Sequence, residues 1–116
     1  MPTLKENIDA QSGVRTYDEG YVCPVLGPVI IQSLSEEEFQ EGVLLWAVNQ
    51  DWTRNRDRRK YENAKLLQMS LVDENKNLIY SDTLENVAKL ARLRSAIFTP
   101  LYNRAYAWNQ PALPKN

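Results

Sequence analysis

The stretch KLLQMSLVDENKNLIYSDTL, residues 65–84, limits this chain more than any other. An apolar run over 66–72 meets a polar knot, Asp73-Glu74-Asn75-Lys76-Asn77. Such residues bond their own backbone and tolerate left-handed geometry, so the chain must turn there. Leu78-Ile79-Tyr80 then reads as a short extended piece, able to pair briefly with Leu71-Val72. Ser81-Asp82-Thr83 opens a helix, with Asp82 expected as the N-cap and Glu85 as its capping-box partner.

The elements before it follow from the same kind of reading. Residues 56–72 are expected to form one central helix. Ala64, Leu67, Ser70 and Leu71 share one face, with Leu66, Met69 and Val72 beside it. A strand over 69–72 is the weaker alternative, because Leu, Met, Gln and Lys favour helix. Upstream, Leu34-Ser35-Glu36-Glu37-Glu38-Phe39 starts a helix. Ser35 is the N-cap, Glu38 closes a capping box, and Leu34 can staple onto Phe39. The stripe Phe39, Val43, Trp46, Ala47 carries that helix to about Gln50.

Before it, VRTYDEGYVCPVLGPVIIQSL reads as a β-hairpin. Its strands are expected near residues 15–23, bulged at Gly20, and 29–33, with a turn at 24–27. Residues 1–13 read as a flexible polar arm. After Asp82, the stripe Leu84, Val87, Ala88, Ala91 gives one helix. A break near 92–95 leads to a last helix with Ile97, Phe98, Leu101, Tyr102, Ala105 and Trp108 on its apolar side. Pro100 must either kink that helix or sit at its N1 position behind a Thr99 cap. The expected fold is mainly α with a small N-terminal β-hairpin, an α+β class. One compact helical domain covers residues 14–110, and a Pro-containing tail covers 111–116.

Composition narrows the chemistry. With no histidine and one cysteine, the 116 residues offer no imidazole base, no Ser-His-Asp triad and no thiolate zinc site. No cofactor or metal is expected, and the chain reads as a non-enzyme. Fourteen basic and fifteen acidic residues give a net charge of -1, and no apolar run nears the roughly 20 residues of a membrane span. Neither nucleic acid nor membrane is an expected partner. A lone cysteine fits a reducing cytoplasm.

The basic run WTRNRDRRK, residues 52–60, superficially resembles the Trp-x-x-Asn-Arg of a homeodomain recognition helix. Thr53 follows the Trp where an aromatic is expected, and Asp57 interrupts the cluster with a charge that repels phosphate. The run therefore reads as a solvated helical surface, or as a rim pairing with a partner's carboxylates. DENKN at 73–77 lacks the Gly and the closing Glu of a calcium loop. No pair of carboxylates is placed on a common cleft. Most of the large aromatics belong in the core. Trp52, Tyr106 and Trp108 flank helix ends, and with Arg58 and Arg59 they are the candidate protein interface.

The order of these features resembles the tail assembly chaperones of long-tailed bacteriophages and prophages. It covers roughly residues 20–109. The residues that carry it are Ile30 to Ser35 before a helix, Leu66 to Asn75 ending in an acidic turn, the apolar-aromatic Leu78 to Tyr80, and Ser81-Asp82 before the next helix. Two positions depart from the pattern: Lys76 stands where the family's turn usually has Gly, and Pro100 interrupts the final helix. The resemblance implies a non-catalytic protein of the bacterial host cytoplasm, absent from the finished virion. Its partners would be the tape-measure protein and the tail-tube protein, with homo-oligomers possible. The alternatives are a small DNA-binding regulator using residues 52–60, and a structural head–tail joining protein.

Overall fold

The chain folds around a helix whose second half is enclosed on all sides. A computed structural model describes residues 3–50 and 55–109; side-chain environments are described from Arg58 onward in the second stretch. The elements are α1 (Leu4–Gln11), β1 (Tyr17–Cys23), β2 (Gly27–Gln32), α2 (Glu36–Phe39), a π-helical segment (Gln40–Leu45), α3 (Trp46–Val48), α4 (Asn55–Ser70), β3 (Leu71–Val72), α5 (Leu84–Ala91) and α6 (Ser95–Trp108). The three strands form one antiparallel sheet in the order β1-β2-β3. The mainly helical α+β class read from the sequence is the observed one.

The hairpin obeys its sequence. Register slips between Asp18 and Tyr21, next to Gly20, so a bulge sits where the glycine is. The extra residue puts Asp18, Tyr21 and Cys23 on the inward side, which strict alternation would not do. Gly27 opens β2 at φ 83, a left-handed value that suits glycine. Val29 and Ile31 point into the core from β2.

The core joins Cys23, Val29 and Ile31 of the sheet to Ala64, Leu67 and Leu71, and to Val87, Leu90, Ile97, Leu101 and Ala105 of the last two helices. From Ala64 to Val72 every residue is buried except the half-buried Met69. Each fully buried Leu here contributes about 2–3 kcal/mol of transfer free energy, so this half-helix carries much of the fold. The expectation of a central helix holds, but its end is different. The helix stops at Ser70, and Leu71-Val72 pair with Ile31 and Ile30 as a strand. Ladder bonds to β2 outweigh the helix preference of the local residues. Val72 also bridges Leu78, and the Ile79 amide donates to the Leu71 carbonyl at 3.2 Å, as the short extended piece required.

Three further expectations are corrected, and one open choice is decided. Residues 4–11 form a helix rather than belonging to a flexible arm. Thr3 caps it by accepting from the Glu6 amide at 3.2 Å, and Lys5 pairs with Asp9 at 2.8 Å. Thr83, not Asp82, caps α5, accepting from the Asn86 amide at 3.2 Å. The helix after Ser35 begins with the expected capping box but widens into a π-helical turn over Gln40–Leu45. Gly42 lies in that turn, and a Cβ there would stand 2.5 Å from the Met69 Cε atom, so the wide turn rests directly on α4. The open choice is at Pro100: α6 runs from Ser95 on through it, which rules out a Thr99 cap. Pro100 donates no bond to the Ala96 carbonyl, but both residues are exposed, where water can satisfy that oxygen.

Candidate functional site

An aromatic row runs along one side of α6. Phe98, Tyr102 and Tyr106 follow at four-residue spacing, so they stack on one face of the helix. The Phe98 and Tyr102 ring centroids are 6.1 Å apart and the rings nearly parallel; Tyr102 and Tyr106 are 5.8 Å apart. Phe98 and Tyr102 are half-buried, and Tyr106 stands out at 44% exposure. Burial pushes the Tyr102 phenol above its ordinary value, with Tyr106 and Glu62 adding to the shift. Glu62 belongs to α4, and Arg58 reaches it at 3.9 Å. Arg59 is exposed and has no carboxylate at ion-pair distance among the described residues.

This sorts the sequence-derived interface residues. Tyr106 belongs to the row on α6, and Arg58 pairs with Glu62 on α4. Arg59 sits one residue further round α4. Trp108 belongs elsewhere: two residues beyond Tyr106 it turns to another side of α6, where its indole N–H donates to the Thr16 carbonyl at 3.5 Å. It covers the start of the β1 edge while remaining 40% exposed. Trp52 lies outside the described residues.

The same end of α6 is tied to the sheet by a fork of hydrogen bonds. Arg104 donates to both Asp18 carboxylate oxygens, Nε to Oδ2 at 2.6 Å and an Nη to Oδ1 at 3.1 Å. The guanidinium holds the Asp18 carboxyl below its ordinary value, against the opposing effect of burial. Arg104 also lies over the Tyr21 ring at 5.1 Å. The Asn109 side chain accepts from the Leu34 amide at 2.6 Å, fixing the end of α6 beside the start of α2.

Sequence reading missed a buried polar layer. Lys65 is 1% exposed, inside the apolar run of α4. Its ammonium donates to Gln68 Oε1 at 2.7 Å and to Asp82 Oδ1 at 2.5 Å, and lies 5.3 Å from the Trp46 ring centre. Gln68 in turn donates to the Tyr80 carbonyl at 3.0 Å. Asp82 is solvent-facing, so the ion pair is buried on one side only. A lysine and a glutamine embedded in Ala-Lys-Leu-Leu-Gln-Met was the available signal. Ser70 Oγ is buried in the same helix and finds no hydrogen-bond partner among the described residues.

An open groove of about 320 Å³ lies between the start of β2 and the turn after β3, with Pro28, Ile30, Val72 and Ile79 as its apolar lining and Asp73 and Glu74 at its rim. Among the described residues no group of three or more His, Cys, Asp or Glu could hold a metal, and no helix is long and apolar enough to cross a membrane. The arrangement offers aromatic and apolar contact area with scattered cations, the composition of a binding surface. Comparison with protein-family models, with curated proteins and with solved structures finds no match.

Proposed function

We propose that this chain is a tail assembly chaperone of a long-tailed phage or prophage. In this reading it is a non-catalytic protein of the host cytoplasm that binds a tape-measure protein, helps recruit tail-tube subunits and does not remain in the finished particle. The observation that carries the reading is the sequence pattern over residues 66–82. Its parts act as one unit: the end of α4, the two-residue β3, the turn at 73–77, the return at Leu78 to Tyr80, and the entry to α5. Lys76 at φ 66 takes the left-handed position that a glycine fills most easily, which matches the place where the family's turn usually has Gly.

The surface supports the same reading. A long helical tape-measure chain exposes apolar stripes that aggregate unless covered. The aromatic row on α6 offers ring faces and edges to such a stripe in the manner of helix-in-groove recognition. Co-expression with the large tape-measure-like protein encoded in the same genome tests it. The expected result is that the large protein becomes soluble and co-purifies with this chain, and that Tyr106→Ser reduces the recovered complex. A tape-measure protein that stays insoluble and unbound overturns the reading. Binding of this chain to DNA at low salt, with a steep loss on adding salt, would replace it with the regulator using residues 52–60.

A further inference from the structure

We infer that the groove between β2 and the turn after β3 binds an extended segment of another protein, one that presents an apolar side chain beside a lysine or arginine. The groove follows from how β3 ends. That strand is two residues long and pairs only with Ile30 and Ile31 of β2. At Asp73 the chain leaves the sheet, because the Asp73 carboxylate accepts from the Asn75 and Asn77 amides at 2.8 and 3.1 Å and so closes the turn. β2 reaches back to Gly27, so Pro28 lies beyond the end of its neighbour. The gap left beside it is the open groove of about 320 Å³.

Pro28 and Ile30 point to the sheet face opposite Val29 and Ile31, which pack into the core with Leu101 and Ala105 of α6. The apolar walls of the groove therefore lie on the face of the sheet away from α6. Ile79 is 51% exposed, and Val22, the register partner of Pro28, is 65% exposed, so apolar surface continues from the groove onto β1. The volume is near the bottom of the roughly 300–1,000 Å³ of ligand pockets, which leaves room for one or two side chains. Pro28 has no N–H, so this edge of β2 gives no ladder donor there. The groove thus reads side chains rather than taking up a further strand.

Charge selects which side chains. Asp73 and Glu74 stand at the rim, and neither has a cation within ion-pair distance among the described residues. Lys76, the cation of the same turn, is drawn away to Glu19 and the Tyr17 ring. An apolar floor under an uncompensated negative rim complements an occupant that is apolar and cationic together. Acidic peptide segments, nucleic acid and anionic membrane are repelled by the same two charges. This surface is distinct from the α6 row, so the assignment holds with or without the chaperone reading.

Titration of the isotope-labelled full chain with the synthetic peptide Gly-Ser-Leu-Arg-Val-Lys-Ser-Gly, followed by amide chemical shifts, tests it. The expected result is saturating shifts at Ile30, Val72, Glu74 and Ile79 below about 1 mM peptide, with none of comparable size at Tyr102 or Tyr106. Glu74 and Ile79 are both exposed, so substitutions there leave the core untouched. Glu74→Lys should weaken binding about threefold to tenfold, and Ile79→Ser by a similar factor, whereas Ile79→Val should bind like the wild type. Added salt should weaken the wild-type complex. A peptide with glutamates in place of its arginine and lysine should not bind. No saturation by about 1 mM, equal binding of the glutamate peptide, indifference to both Glu74→Lys and Ile79→Ser, or shifts on α6 instead overturns the inference. Shifts at the groove that grow with protein concentration in the absence of peptide assign it to a second copy, and overturn it as well.

Discussion

At the scale of single residues, two side chains hold positions that their neighbours make strict. Asp18 is inward because the bulge turns it there, and Arg104 keeps it ionised. Its folded value lies below the ordinary 3.8, so its contribution to stability is complete above that pH and is lost as pH falls through the folded value. Asp18→Asn should therefore lower the melting temperature at neutral pH, and the gap to wild type should close on acidification below about 4. Thermal unfolding of both proteins over a pH series reads this. Lys76 faces two opposed effects. Its φ of 66 costs about 1 kcal/mol for a residue with a Cβ. Against that, its ammonium pairs with Glu19 and lies 4.8 Å from the Tyr17 ring centre. The carboxylate is mostly solvent-exposed, so the pair is worth little. Lys76→Gly should then be neutral or stabilising by up to about 1 kcal/mol in a denaturant titration; a loss larger than that would show that the Tyr17 contact dominates.

At the scale of elements, the helix pair α2–α3 and α4 meet where the π-helical turn lets Gly42 touch Met69. Gly42→Ala should gain up to about 1 kcal/mol of helix propensity while forcing the flexible Met69 tip aside. The net change should be near zero, whereas Gly42→Val should cost about 1–3 kcal/mol by overpacking. In the Met69→Ala background, where the clashing Cε and Sδ atoms are gone, the Val penalty should shrink, and a double-mutant cycle by chemical denaturation measures that coupling. The Lys65–Asp82 pair links α4 to the entry of α5. Removing the carboxylate strands a buried ammonium, while removing the lysine frees a carboxylate that water can solvate. Asp82→Ala should therefore cost more, about 1–3 kcal/mol, than Lys65→Met at about 1 kcal/mol. The reverse order would mean that the stem of Lys65 matters to packing more than its charge does.

At the scale of the whole molecule, the protein divides into a packed body and an uncovered helix. Because no residue of α1 is buried, a chain beginning at Gly13 should unfold within about 0.5 kcal/mol of wild type when both are dilute. A truncated chain that unfolds much earlier would place α1 within the fold rather than outside it.

Much of this was written locally. The Ser35–Glu38 capping box, the bulge at Gly20, the turn at 73–77 and the stripe of α6 each depend on residues within a few positions of one another, so the sequence alone determined them. The same local chemistry was present at Thr3 and Glu6, where a Thr-x-x-Glu start marks α1. Of the candidate interface, the row position of Tyr106 and the exposure of Arg58 and Arg59 follow from helical spacing. What only the tertiary structure decided lay between distant residues. Leu71 and Val72 became a strand because Ile30 and Ile31 offered a ladder. Asp82 gave up the cap because a lysine seventeen residues earlier needed its charge. Trp108 found its partner only in the tertiary structure, where the β1 edge offers the Thr16 carbonyl. Local propensities differ by less than 1 kcal/mol per residue, and a buried charge or an unpaired sheet edge outweighs them.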